Sequence, residues 1–277
     1  MSTPNLSFCT FVGTLLLCLL SLPSCHLRPS ESELADARLA AARTAIDCGK
    51  WQQAHITLDS VHILFPKLID KRREARALSD SLVYLEAQRS LAYSDSLLQT
   101  LLPQTDPLLR LFRYEKNERY EDHGRYVYRS LNTDLNTTRC FLQAYVTDQR
   151  ETTVKSYYYG ASAIEQHSIT LSSENVKTTQ TGDNHTFTSG AQHEILSLAN
   201  NASLELLNFI SSHCNAPIQV TQEGKTTHSF WLTDNEKEAL EKTYQLGLLM
   251  NDIQLLEQQI AISQAQISKY EGDFLRK

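Results

Sequence analysis

The sequence lacks the signatures that announce an enzyme. Its 277 residues contain no G-x-S-x-G, no G-x-x-x-x-G-K-[ST], no G-x-G-x-x-G and no H-E-x-x-H. His193-Glu194 lacks the second histidine that a zinc helix would need. No C-x-x-C occurs, so neither a zinc ribbon nor a thioredoxin-type redox pair is expected. Glycine is scarce, at nine residues, which disfavours a turn-rich all-β fold and leans towards long helices. Positive charge is not in surplus: 26 Lys and Arg stand against 32 Asp and Glu, a net of −6. That balance argues against a nucleic-acid partner.

Charge is also missing from residues 8–22, an unbroken apolar run with no Lys or Arg before it. A helix crossing a bilayer needs about 20 apolar residues. The run is short for that and fits the apolar core of a secretory signal. Leu22-Pro23-Ser24-Cys25 then resembles a bacterial lipobox. The resemblance implies a signal peptide over 1–24, acylation of Cys25, and a polar hinge over 25–33; the alternative is a plain secretory signal cut near Ser24 without lipidation. The resemblance also implies an exported protein held at the cell envelope, the outer membrane favoured over the inner, with membrane as its partner through the lipid. Cys48, Cys140 and Cys214 remain, odd in number and far apart. They read as small buried hydrophobes, with a single Cys140–Cys214 bridge left open.

Beyond the hinge the pattern turns helical. An alanine-rich stretch runs from Leu34 to Cys48, Gly49-Lys50 breaks it, and a second helix from Trp51 ends at Pro66. Gly49, Trp51, Ala54, Leu58, Val61 and Pro66 resemble the second half of one tetratricopeptide repeat. The repeat does not recur one period on, so 34–66 is expected as a lone helical hairpin that must lean on something else. Pro66 and Pro103 bracket a long helix over 67–102. Its counterpart is expected over 233–271, opened by the capping box Thr233-Asp234-Asn235-Glu236 and followed by a tail over 272–277. Leu246, Ile253, Ile260, Ile267 and Phe274 recur every seven residues along it, and Leu249, Leu256, Ser263 and Tyr270 fill the alternate seam.

Residues 103–232 have another texture. Strands are expected at 125–131, 140–147, 152–159, 167–172, 175–180, 185–189 and 193–198, with one helix over 202–212. Hairpin turns are expected at Gly182-Asp183-Asn184 and at Gln222-Glu223-Gly224-Lys225. The fold class is therefore α+β: an N-terminal helical hairpin, a long antiparallel coiled-coil-like helix pair, and a β-rich domain inserted between the long helices.

Eight of the twelve tyrosines fall between residues 114 and 159, interleaved with Arg110, Arg113, Lys116, Arg119, Arg125 and Arg129. Tyr126, Tyr128, Tyr145, Tyr157 and Tyr159 form the candidate binding face, because aromatic rings stack on apolar surfaces while hydroxyls and guanidiniums bond polar groups. The competing reading is that tyrosine simply suits half-buried strands. Histidines 123, 185, 193, 213 and 228 lack ligand spacing, so no metal site and no cofactor is expected. The stretches "LDSVHILFPK", "LAYSDSLLQTLLPQ", "RCFLQAYVTD" and "LTDNEKEALEKTYQL" resemble uncharacterised lipoproteins of the Bacteroidota type. The expected function is a non-enzymatic envelope lipoprotein that presents a β-rich binding or scaffold module on a helical stalk. The alternatives are a homo-oligomeric assembly factor paired through Leu246, Ile253, Ile260 and Ile267, and a hydrolase with an unrecognised site in the β insert.

Overall fold

The computed structural model describes residues 29–119, 122–131, 138–189 and 191–274. The signal segment, Cys25 and the last three residues lie outside the described residues. The chain divides into two units, Met1–Leu85 and Glu86–Lys277.

In the first unit, α1 (Glu31–Asp47) and α2 (Trp51–Leu64) form a hairpin, and the start of α3 (Ile69–Leu109) packs on it. Ser30 and Glu33 cap α1 reciprocally, each side chain bonding the other's backbone amide. Gly49, at φ +69°, ends the helix. Its amide bonds Ile46 O and that of Lys50 bonds Ala45 O, the paired bonds of a Schellman cap. Ala35, Leu39 and Ala42 of α1 and Ala54, Leu58 and Val61 of α2 are buried together. Small residues on the facing stripes let the helices approach. Ala75 and Leu82 of α3 join this core. Arg43 pairs with Glu74 and Lys71 with Asp36, holding α3 to α1 at the surface.

The long helix does not stop at Pro103. It runs on to Leu109 with Pro103 and Pro107 inside it. Proline forfeits one backbone hydrogen bond but keeps a helical φ. Leu108 and Leu109 continue into a cluster with Phe112, Leu246 and Met250, so burial outweighs the lost bonds. The last helix, α5 (Asp234–Phe274), opens on the expected box: Glu236 N donates to Thr233 Oγ1 at 3.3 Å and Thr233 N to Glu236 Oε2 at 2.9 Å. Its seam is legible in its burial. Leu246, Ile253 and Ser263 are buried, while Leu248, Leu255 and Ile262 face outward. Gln259 Nε2 reaches Ser90 Oγ of α3 at 2.9 Å, so the two helices touch.

Among the described residues, ten strands lie between these helices: β1 (Phe112–Glu115), β2 (Arg125–Tyr128), β3 (Phe141–Thr147), β4 (Thr152–Gly160), β5 (Ser168–Ser173), β6 (Val176–Thr181), β7 (Asp183–Thr188), β8 (Gln192–Ala199), β9 (Gln219–Glu223) and β10 (Thr227–Trp231). Helix α4 (Asn200–Ser212) follows β8. One antiparallel sheet has the order β1-β2-β3-β4-β8-β7, the other β10-β9-β5-β6. Leu142, Ala144 and Val154 of the first sheet, Ile169, Leu171 and Val220 of the second, and Leu206, Leu207 and Ile210 of α4 share one core. Ser203 pins α4 to it, accepting from Val154 N at 3.0 Å and donating to Leu198 O at 2.8 Å. Gly247 lets α5 lie close to β4, since a Cβ there would sit 2.4 Å from Thr152 Oγ1.

Gly182-Asp183-Asn184 is not a hairpin turn. β6 and β7 belong to different sheets, and the chain passes from one to the other through the single residue Gly182. A Cβ on it would meet Ser197 O at 2.4 Å, so close passage over β8 demands the glycine there. The tight hairpin turn is Glu174-Asn175, with Glu174 at φ +52°.

Candidate functional site

Residues paired directly across an antiparallel sheet point to the same face. Register therefore sorts the tyrosines. Tyr145 pairs with Thr153, and Phe141 with Tyr157, so Tyr145, Tyr157 and Tyr159 share the face of the six-stranded sheet that points away from Leu142 and Ala144. Val127 pairs with Tyr145, which puts Tyr126 and Tyr128 on the opposite, core-side face. The five-tyrosine face is thus corrected to three. Tyr128 stands edge-on to Phe112 at 5.5 Å and donates to Glu238 Oε1 of α5 at 3.0 Å. Tyr126 packs on Tyr114 at 5.2 Å. Both serve packing, for a reason invisible in a single strand: parity between strands depends on register.

The three remaining tyrosines belong to an aromatic and cationic array. Phe141 and Tyr157 stack at 4.4 Å with rings nearly parallel. Arg139 lies over Phe141 at 5.7 Å. Arg125 and Lys155 both lie 5.5 Å from the centre of the Tyr145 ring. Tyr159 meets His193 edge-on at 5.2 Å, and His193 stacks on Phe187 at 4.7 Å. The Tyr157 hydroxyl donates to Gln143 Oε1 at 3.0 Å. Burial, with a smaller push from Tyr145, moves its pKa up to about 12, so it stays a neutral donor. On β1, Glu115 accepts from Arg113 Nε at 2.8 Å and Arg125 Nε at 3.4 Å, so one carboxylate holds two guanidiniums. An open hollow of about 440 Å³ lies here, lined by Tyr114, Glu115, Lys116, Asn117 and Arg125.

A second constellation sits where the two sheets meet, and no sequence motif pointed to it. Gln222 of β9 is fully buried. Its Nε2 donates to Ser156 Oγ at 2.8 Å and Tyr157 O at 3.0 Å. Its Oε1 lies 3.2 Å from His228 Nδ1, and His228 Nε2 lies 4.0 Å from Cys140 Sγ. Gln166 Nε2 donates to the same Ser156 Oγ at 2.8 Å. Tyr158 stands edge-on to His228 at 5.6 Å. Nearby, the buried Glu194 carboxylate accepts from the backbone amides of Ile164, Glu165 and Gln166 at 2.6, 2.9 and 2.6 Å and from Asn184 Nδ2 at 3.2 Å. This staples the loop before β5 to β8.

The cysteines are not the buried hydrophobes expected of them: Cys48 is exposed, Cys140 and Cys214 are half-buried, and all three are free thiols. Among the described residues no group of three or more His, Cys, Asp or Glu side chains is placed to hold a metal ion. No family model, curated protein or solved structure matches the chain.

Proposed function

We propose that this chain is a non-enzymatic lipoprotein of the bacterial cell envelope, anchored through Cys25, that binds its ligand on the outer face of the six-stranded sheet. The observation that carries the reading is the array over β3 and β4: partly exposed Tyr145, flanked by Arg125 and Lys155, beside Tyr157, whose ring is backed by the buried Phe141. Rings offer flat apolar contact at low entropic cost, and cations held over them recognise acidic groups. A ligand with ring faces and carboxylates, such as an acidic polysaccharide, fits that chemistry. α5 and the part of α3 beyond residue 85, packed antiparallel in the manner of a coiled coil, would serve as the support. The Gln259–Ser90 bond and the shared lining of one groove by Leu108 and Leu249 favour that pairing. Homo-oligomerisation through the seam has less to recommend it. Leu246 and Ile253 are already buried within a single chain, so a second copy would have to displace what covers them.

Titration of the full-length protein with polygalacturonate tests the reading. Wild type should bind in a salt-sensitive manner, and the double variant Tyr145→Ala/Lys155→Ala should lose at least about tenfold in affinity. Equal binding by both, or none by wild type, overturns the ligand assignment. Metabolic lipid labelling of wild type against Cys25→Ala tests the anchor separately. Label retained by the alanine variant, or absent from both, overturns it.

A further inference from the structure

We propose that Cys140 is a reactive thiol, with His228 as its base and Gln222 as the residue that positions that base, and that it exchanges with small disulfides. The inference is independent of the binding face. It begins with Gln222, whose amide orientation is fixed by its surroundings. Tyr157 O is only an acceptor, so the amide nitrogen must point to it. The oxygen therefore faces His228, and an oxygen can only accept. Nδ1 of His228 then carries the ring proton, leaving Nε2 bare. That bare nitrogen is the atom 4.0 Å from Cys140 Sγ. A nucleophile, a base and an orienting group thus stand in sequence, though Cys140 and His228 are 88 residues apart.

The surroundings of the sulfur act in opposite directions, and the resting thiol donates to Tyr159 O at 3.5 Å. Tyr159 N–H donates to it at 3.3 Å, a bond that favours the thiolate. Burial acts the other way and raises the thiol above its ordinary value, outweighing a lowering hydrogen bond with the Tyr159 backbone. The resting group is accordingly a thiol, and its reactivity depends on a partner that takes the proton. In the exchange, His228 Nε2 accepts the proton from Sγ. The thiolate attacks one sulfur of R–S–S–R, a new S–S bond forms and the old one breaks. The departing RS⁻ takes the proton back from the imidazolium, giving Cys140–S–S–R and RSH. Tyr158 and Arg139 are among the charged or titratable groups around the pair. Tyr158 has its hydroxyl pKa raised by burial first and then by Cys140 and Glu194, and Arg139 is engaged with Glu236. Cys48 and Cys214 are controls within the same chain, being free thiols.

The test uses the full-length protein in detergent, pulsed with dipyridyl disulfide, quenched in acid and mapped by peptide mass spectrometry. Cys140, Cys48 and Cys214 are read in one sample. Near neutral pH, Cys140 should react about tenfold faster than either control, and His228→Phe, which keeps a ring against Tyr158, should abolish the advantage. The wild-type rate should climb clearly less than tenfold per pH unit between neutrality and about pH 9, where an unassisted thiol climbs tenfold per unit. A Cys140 rate no faster than the controls, or a tenfold-per-unit climb, overturns the proposal. The wild-type profile alone decides this should His228→Phe fail to fold.

Discussion

The two faces of the six-stranded sheet are written in the same alternating residues and held by different physics. On the core side, Leu142, Ala144, Val154, Leu196 and Leu198 are at most 1 % exposed and meet α4 and the second sheet. On the other side, Phe141, Tyr145, Lys155, Tyr157 and Tyr159 meet mostly one another, through stacked rings and cations over rings. The first face owes its stability to apolar area removed from water. On the second, Phe141 and Gln143 are themselves buried, while Tyr145, Lys155, Tyr157 and Tyr159 stay partly exposed and available for a ligand. The four-stranded sheet repeats the contrast with a different outer chemistry. Its inner face carries Ile169, Leu171 and Val220, whereas Thr170, Thr221, Ser229 and Glu223 line its outside in a hydroxyl ladder.

The sharpest way to break this contrast is truncation on each face. Leu196→Ala should cost about 2–5 kcal/mol, the range for emptying a fully buried leucine site. Tyr145→Ala should cost less than about 1 kcal/mol. Urea unfolding followed by Trp231 emission in a Trp51→Phe background reads the second unit alone. Comparable losses at both positions would mean that the outer face is structural after all. A smaller effect lies at Glu194, whose carboxyl group is buried on the core side. Four N–H donors hold it. Glu194→Gln would set an amide N–H₂ against amide donors, and should cost about 2–3 kcal/mol in the same assay. A neutral outcome would show that the loop before β5 is held by something other than this carboxylate.

What the sequence disclosed follows the range of the interaction. The capping box at Thr233 and Glu236 spans four residues and was legible. So was the seam of α5, because Leu246, Ile253 and Ser263 lie on one helix whatever they pack against. Most strand positions were readable from alternation, since the period belongs to a single strand, but β1, only four residues long, was not. Register was not, and so Tyr126 and Tyr128 could not be separated from Tyr145 and Tyr157. Sheet membership was equally hidden: Gly182 has the local composition of a turn but passes between two sheets. Pro103 carries the signal of a helix end, and only the apolar cluster beyond it shows why the helix continues. Cys140 and His228 had no shared signal, but His228 and Gln222 did. The hairpin expected at residues 222–225 already sets its two strands side by side, and the register pairs these two residues.

The smallest effect expected is a pH dependence on the outer face of the four-stranded sheet. Thr170 Oγ1 donates to Glu223 Oε1 at 2.7 Å and Ser168 Oγ to Oε2 at 2.9 Å. These bonds, the Thr170 one first, hold the Glu223 pKa below its ordinary value of 4.5. A carboxyl whose pKa is lower in the folded than in the unfolded chain binds fewer protons when folded. Its stabilisation is therefore fully present above the unfolded value and disappears as pH falls through the folded one. Glu223→Gln should thus be less stable than wild type near neutrality, by under about 1 kcal/mol because the group is partly solvated. The gap should close on acidification below about pH 4. A gap that persists unchanged into acid would assign the loss to shape and not to charge. The hydroxyl ladder would then resemble the aromatic face in contributing little electrostatically to the fold.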